Sequence, residues 1–358
     1  MNDRRSIRET FSEITRTRTF QVVAGTLAGV GIILLAVLIS ALVFRAYGWG
    51  LFVLTPFVVG FTTGYLVNRH ELRTMKTTSA LVLLAAALGC LGLIVFALEG
   101  LICLILASPL AALLAIGGGA LGRRAARLGK EPSGPLYCVA LLPLMFAADA
   151  IPPPDALMLT NESIVIRAPA SRVWQAVTSD DRIREPSTLV GRLGLAYPKR
   201  GRLDGSRVGA ARSGYFSTGV AREKVTEWQK DRTLGFVVLK QPPTMTEMSP
   251  YRHVNAPHLN GYFETGETRF EIESLSDQKS RLTILAAHRL RIDPIIYWEP
   301  IARWAASSNT RRVLRDLKSK AEQASDAAFK NAGNPSAVRP IVRRQFNLSG
   351  KKSLTASR

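Results

Sequence analysis

Two histidines, His253 and His258, stand five residues apart in the segment from Gln241 to Asn260, together with Tyr251, Met245, Met248 and four prolines. Imidazoles beside a phenol could move protons in general acid–base chemistry, and a long proline-rich segment of this kind often closes over a ligand cavity. The competing reading is an ordered surface loop without chemistry. A catalytic zinc needs a third protein ligand, and His288 lies on a separate strand-like stretch, so no metal site is expected. Glu267, Arg269 and Glu271 alternate and therefore share one face of a strand. Turned into a cavity, Glu267 and Arg269 would orient a polar head or act as an acid–base pair with a neighbouring tyrosine. Turned outward, they form the solvated side of an antiparallel sheet whose core side carries Thr268, Phe270 and Ile272. Glu267, His253 and His258 are thus the catalytic candidates, with Arg269 and Tyr251 as candidates for contact with a ligand. The chain has no Gly-x-Ser-x-Gly elbow, phosphate loop, dinucleotide fingerprint or His-Glu-x-x-His pair, so the common nucleophile and nucleotide chemistries lack support and no cofactor is expected.

The elements that position these residues divide the chain in two. Its mean hydropathy of +0.11 is high for a sequence that is 21% charged, which points to segregation of apolar and charged stretches. Up to Ala150 there are 13 Lys/Arg and 7 Asp/Glu, and beyond it 34 and 20, within a net charge of +20. A basic chain of this kind suits an anionic membrane surface as well as it suits phosphates. No nucleic-acid reader motif accompanies the charge, so nucleic acid is not expected as a partner. Cys90, Cys103 and Cys138 all fall in apolar runs, which rules out a disulfide framework in the charged part.

Uncharged runs at about 20–44, 47–67, 79–98 and 100–121 are each long enough to cross a hydrocarbon core as a helix. The last two are separated by Glu99, which the spacing places in water at the tip of a helical hairpin. A fifth run, 134–151, is shorter and contains Pro143. Arg4, Arg5, Arg8, Arg16 and Arg18 precede the first run, Arg69, Arg73 and Lys76 follow the second, and Arg123, Arg124, Arg127 and Lys130 follow the fourth. The positive-inside rule therefore puts the basic amino terminus (1–19), the second loop and the fourth loop in the cytoplasm. The expected location is a bacterial inner (plasma) membrane. If the fifth run spans, as its length allows with little tilt, all that follows is extracytoplasmic; if it lies in the interface, the following domain is cytoplasmic. The pairs Gly25/Gly29, Gly60/Gly64 and Gly118/Gly122 have the spacing of close helix contacts, either within the bundle or at a dimer face. Oligomeric state is not readable from the sequence.

After a proline-rich linker (152–160) the pattern changes to short alternating strands. Glu162 to Arg167 puts Ile164 and Ile166 on one face, and a helix from Ala170 to Thr178 follows Pro169, with Trp174 in its core face. Strand-like stretches run at Val208–Phe216, Ala221–Trp228, Thr233–Leu239, Gly261–Ser274 and Ser280–Arg289. A long amphipathic helix from Ile295 to about Ala324 presents Ile301, Trp304, Ala305 and Ser308, then Leu314, Leu317 and Ala321, while Arg311, Arg312, Arg315, Lys318 and Lys320 are assigned to water. Residues 325–358 read as a basic, disordered tail.

This order is that of a helix-grip fold, an α+β unit in which a curved antiparallel sheet wraps a long carboxy-terminal helix, here behind an α-helical transmembrane bundle. The stretches Ile164 to Trp174, Gly261 to Phe270 and Arg311 to Glu322 resemble the START-related superfamily of lipid-transfer domains and polyketide cyclases/dehydrases (SRPBCC), over about 161–324. The resemblance implies an apolar cavity between sheet and terminal helix, with Tyr262, Trp298, Ile301 and Trp304 as lining candidates. It implies a hydrophobic small molecule or lipid as partner and no single reaction. The leading expectation is a membrane-tethered domain that binds or transfers a lipid, fatty acyl or polyketide-like ligand. A cyclase or dehydratase using the same cavity, and a membrane scaffold or sensor without ligand chemistry, are the alternatives.

Overall fold

The structure, a computed structural model, describes residues 18–40, 48–128, 143, 154–246 and 261–332. Among these, four helices are long and apolar enough to cross a membrane: α1 (Arg18–Ile39), α2 (Thr55–Asn68, entered through a wide helical turn at Gly50–Leu54), α3 (Met75–Val95) and α4 (Leu101–Leu128). Leu27, Leu35, Leu84, Leu91, Leu113 and Leu121 point outward, as side chains that meet lipid must. The fifth apolar run falls outside the described residues except for Pro143, as do the first 17 residues and 333–358.

Glycine decides how the bundle packs. With no lipid-excluding force between apolar helices, close van der Waals approach must hold them together. Added to Gly60, a Cβ would stand 1.9 Å from the Ala115 carbonyl oxygen; at Gly64 it would meet Gly119 O at 2.5 Å, at Gly118 Phe57 O at 2.1 Å, and at Gly122 Phe61 O at 2.2 Å. Both glycine pairs thus lie in one α2–α4 contact, backbone against backbone, Gly60 and Gly64 on Ala115 and Gly119, and Gly118 and Gly122 on Phe57 and Phe61. Gly25 and Gly29 instead receive side-chain atoms of α2, Val67 Cγ1 and Thr63 Oγ1.

The basic end of the bundle is tied by polar contacts. Asn68 Nδ2 donates to Gly64 O (2.7 Å) and Thr78 Oγ1 (3.0 Å), Asn68 Oδ1 accepts from Arg73 N (2.8 Å), and Arg123 Nε donates to Arg73 O (2.8 Å). The opposite end holds the α3–α4 hairpin. There Glu99 is buried, not in water as the sequence suggested: it lies close enough to Tyr262 of the following domain for its charge to act on that phenol.

That domain is a seven-stranded, wholly antiparallel sheet in the order β1-β7-β6-β5-β4-β3-β2, built from β1 (Ala156–Ile166), β2 (Pro198–Leu203), β3 (Ala211–Phe216), β4 (Gly219–Gln229), β5 (Thr233–Lys240), β6 (Phe263–Ser276) and β7 (Lys279–Leu290). Helices α5 (Ala170–Thr178) and α6 (Leu189–Arg192) lie between β1 and β2, and α7 (Ile295–Ala332) follows β7. This is the helix-grip architecture. β1 begins inside the expected linker, pairing from Ala156 opposite Leu290, and α7 runs past the expected start of the tail. β2, PKRGRL, has no apolar alternation and was not expected as a strand.

The core gathers Ile166, Val173, Trp174, Leu234, Phe270, Leu282, Leu314 and Leu317, with Trp174 edge-on to Trp228 at 5.0 Å. Arg312, assigned to water from its helical position, is 3% exposed. Its Nε donates to Glu185 O and Pro186 O and its Nη1 to Pro198 O, while Asp316 Oδ1 accepts from Arg184 N and Glu185 N. These two charged side chains strap the segment before β2 to α7, and the carbonyls bound by Arg312 and the backbone N–H groups bound by Asp316 explain why burial is tolerated.

Replacing Gly118 by leucine should force α2 and α4 apart. We expect the thermal unfolding midpoint of the detergent-solubilised chain to fall by at least about 5 °C, corresponding to a loss in the usual range for overpacked contacts. Gly117→Ala, where no atom lies within 4 Å, should leave the midpoint unchanged or raise it.

Candidate functional site

The sheet curls away from the first half of α7 and leaves a cavity of about 350 Å³, within the range of small-molecule sites. Phe236, Phe270, Ile284 and Ala286 form its sheet wall, Trp298, Ile301, Ala302 and Ala305 its helix wall, and Val190, Leu195, Pro242 and Met245 a third side. Phe52, Cys103 and Leu106 of the membrane bundle complete it. Trp298 meets Phe52 edge-on at 4.9 Å, and the Tyr297 hydroxyl donates to Leu106 O at 2.6 Å. Burial, with Glu99 nearby, pushes the Tyr262 phenol above its ordinary pKa.

Several polar groups interrupt the apolar lining, and three of them, Arg212, Glu223 and His288, bear on its chemistry. Arg212 and Glu223 are direct neighbours across β3 and β4 and form an ion pair, with the guanidinium 4.0 Å above the centroid of Phe236. Burial raises the Glu223 carboxyl pKa, and the attraction of Arg212 opposes this. Room for the pair comes from glycine: a Cβ at Gly201 would lie 2.5 Å from Arg212 Nη2, and one at Gly214 would lie 2.6 Å from Glu223 Oε1. Gly201 and Gly214 face one another across β2 and β3.

His288 is the third. It is 7% exposed, stacks on Phe263 at 5.1 Å, and has Thr160 Oγ1 3.1 Å from Nε2 and Thr265 Oγ1 3.1 Å from Nδ1. The Thr160 hydroxyl donates to Ala286 O. The hydrogen-bond network thus assigns Nε2 as donor to Thr160 and Nδ1 as acceptor from Thr265. Burial disfavours the imidazolium and lowers the pKa to about 4. The site therefore holds a neutral imidazole with both nitrogens occupied, its ring available mainly as an apolar surface.

Of the residues singled out from sequence, Tyr262, Trp298 and Ile301 line the cavity. Trp304 lies on the outer side of α7, 46% exposed. Arg269 is on the convex face of the sheet, where its Nη2 pairs with Glu227 at 2.8 Å, and Glu267 on the same face is exposed; neither reaches the cavity. Tyr251, His253 and His258 lie outside the described residues. His288, Arg212 and Glu223 were not singled out, although alternation marks them. Leu282, Ile284, Ala286 and Leu290 flank His288 on the inward face, as Gly214 and Phe216 accompany Arg212 and Ala221 and Val225 accompany Glu223. A lone polar residue on an otherwise apolar strand face was the available signal. Nothing in the sequence linked Phe52, Cys103 or Leu106 to the cavity.

No protein-family model and no curated protein matches the chain. Over its carboxy-terminal half it is similar to solved structures. These include the Zhui aromatase/cyclase from Streptomyces sp. R1128 (12% identity, 48% of this chain and 98% of that one, TM-score 0.33). A START superfamily protein from Mycobacterium smegmatis gives 13% identity over 46% and 98%, with a TM-score of 0.32. A truncated norcoclaurine synthase from Thalictrum flavum gives 9% identity over 45% and 93%, with a TM-score of 0.29. Likenesses at this level carry no information about ligand or reaction.

A histidine held neutral in the folded chain makes stability depend on pH. Between the folded pKa of about 4 and the unfolded value near 6.5 the unfolded chain binds more protons, so this contribution is complete above about pH 6.5 and is lost as the pH falls to about 4. The loss amounts to roughly 3 kcal/mol. Denaturant unfolding at pH 7 and pH 4.5 should show a steeper acid loss for the wild type than for His288→Gln; parallel curves would refute the assignment.

Proposed function

We propose that this chain is a membrane-anchored helix-grip protein that binds, and exchanges with the bilayer, a hydrophobic ligand of the lipid, fatty acyl or polyketide-like class. The observation that carries this reading is the cavity itself: its walls are mainly apolar, and one of them is the membrane bundle. A cavity filled only by water would leave those side chains without the burial that drives folding. Tethering raises the effective concentration of a membrane-borne ligand at the site. Arg212 and Glu223 would then hold a polar end of the ligand, since a charged pair on an apolar wall is tolerated only when its hydrogen bonds are met.

A second reading, a cyclase- or dehydratase-type enzyme, is favoured by His288 and the Arg212–Glu223 pair on the cavity wall. It requires a group that can exchange a proton with the ligand. His288 would meet that requirement only if Thr265 turned away from Nδ1, so binding is the stronger reading.

The full chain purified in detergent should carry a hydrophobic molecule, detected by native mass spectrometry and solvent extraction. Ala305→Phe, which fills the cavity from α7, should reduce its occupancy at least tenfold. Trp304→Ala, on the outer side of the same helix, should leave it unchanged. A wild-type chain that is empty and takes up no added palmitic acid would overturn binding.

The domain is further placed by us outside the cytoplasm. Leu106, which touches the domain, and Arg123, which belongs to the basic end, are 17 residues apart on α4, or about 26 Å along its axis. The chain leaves α4 at the basic end and re-enters the described residues at β1, beside Asp155 and Arg291 near the other end, which supports a domain on the side of the membrane opposite the basic loops. A cysteine placed at Asp181 should react in intact cells with a membrane-impermeant maleimide, whereas one at Glu71 should react only after permeabilisation. The reverse pattern would put the domain in the cytoplasm.

A further inference from the structure

A second cavity, about 110 Å³, lies inside the membrane bundle, with Ile33, Val59, Leu93 and Glu99 in its wall. Phe52 and Cys103 belong to the walls of both this cavity and the helix-grip cavity. We propose that the two form one passage, closed in this structure by Phe52 and Cys103, through which the ligand moves from the membrane interior into the helix-grip cavity without crossing water. The proposal rests on the reading of the helix-grip cavity as a site for a hydrophobic ligand.

Three features support it. Phe52 and Cys103 stand in the walls of both cavities, and Phe52 meets Trp298 across the junction by ring contact. The domain stays docked while the Phe52 ring turns, because Tyr297 holds Leu106 independently. The route on either side is walled by apolar groups, which spares a hydrocarbon chain the penalty that every methylene meets in water. The Trp298 indole N–H, on a residue only 8% exposed, is buried in the helix-grip wall at this junction with no acceptor among the described residues. An indole N–H donates one hydrogen bond, so a slender hydrocarbon chain ending in an uncharged acceptor, such as a hydroxyl or an amide, suits the junction.

The test uses the full chain in phosphatidylcholine vesicles containing a diazirine-bearing long-chain alcohol, irradiated at successive times, with adducts mapped by mass spectrometry. In the wild type we expect adducts first on bundle-cavity peptides around Leu93 and then on helix-grip peptides around Ile284. Phe52→Trp, which thickens the partition, should slow the second set at least fivefold and leave the first unchanged. Phe52→Leu, which thins it, should accelerate the second set, and this variant decides the matter alone if the tryptophan variant fails to fold. Equal rates of helix-grip labelling in wild type and Phe52→Leu would overturn the passage while leaving ligand binding intact. Absence of helix-grip adducts in every variant, including detergent-solubilised chain incubated with the alcohol to equilibrium, would overturn both.

Discussion

The organisation of the domain depends on α7 meeting the sheet along only part of its length. From Leu314 to Ala321 the helix is packed into the core with Leu282, Val173 and Ile166. From Trp298 to Ala306 its inner face carries Ala302, Ala305 and Ala306, side chains too short to reach Phe236, Phe270 and Ile284 opposite. A protein interior closes such gaps unless something prevents it, because each missing contact loses dispersion energy. Here closure is resisted at both ends. Arg312 and Asp316 fix the pitch of α7 against the backbone at 184–186, and the membrane bundle fixes its first turn through Tyr297 and Trp298. The cavity is the space left between two anchored ends of one helix.

The second consequence concerns charge. An ion pair set into an apolar wall is costly by itself, and its retention beside small residues indicates that shape was adjusted to admit it. Gly201, Gly214 and Ala221 surround Arg212 and Glu223 where larger strand residues would otherwise pack. His288 is treated differently: it is neutralised by burial and its nitrogens are engaged by threonines on β1 and β6. The sheet wall thus offers a charged feature at β3 and β4 and, at β7, an aromatic surface that does not titrate near neutral pH.

Much of this was legible in the sequence, because the relevant signals are local. Uninterrupted apolar runs mark α1 to α4, alternation marks β3 to β7, and the spacing of apolar residues marks α7. What escaped did so for physical reasons. β2 is Pro-Lys-Arg-Gly-Arg-Leu, an edge strand whose pairing with β3 comes from backbone hydrogen bonds rather than side-chain pattern. β1 begins with Ala-Leu-Met-Leu, where Leu157 and Leu159 face outward and mask the alternation of Met158 and Thr160. Arg312 reads as solvated because helical phase does not reveal three carbonyls arriving from a segment more than a hundred residues away. Glu99 was assigned to water since the hairpin it ends is exposed until the helix-grip domain covers it. Contacts between the two halves of a chain leave no periodic trace in either.

The wide turn at Gly50–Leu54 carries an implication of its own. There the Thr55 N–H and hydroxyl both reach back five residues to Gly50 O, so the turn holds one residue more than an α-helix would. Wide turns of this kind often occur at functional sites. An α-helix advances about 100° per residue, and the extra residue therefore sets the angular position of everything before it relative to α2. Phe52 lies within that turn. Its alignment with Trp298 is thus a property of helical phase, and deletion of a single residue between Gly50 and Leu54 would swing the ring about a quarter of a turn away from the junction while leaving the glycine contacts of α2 with α4 in place.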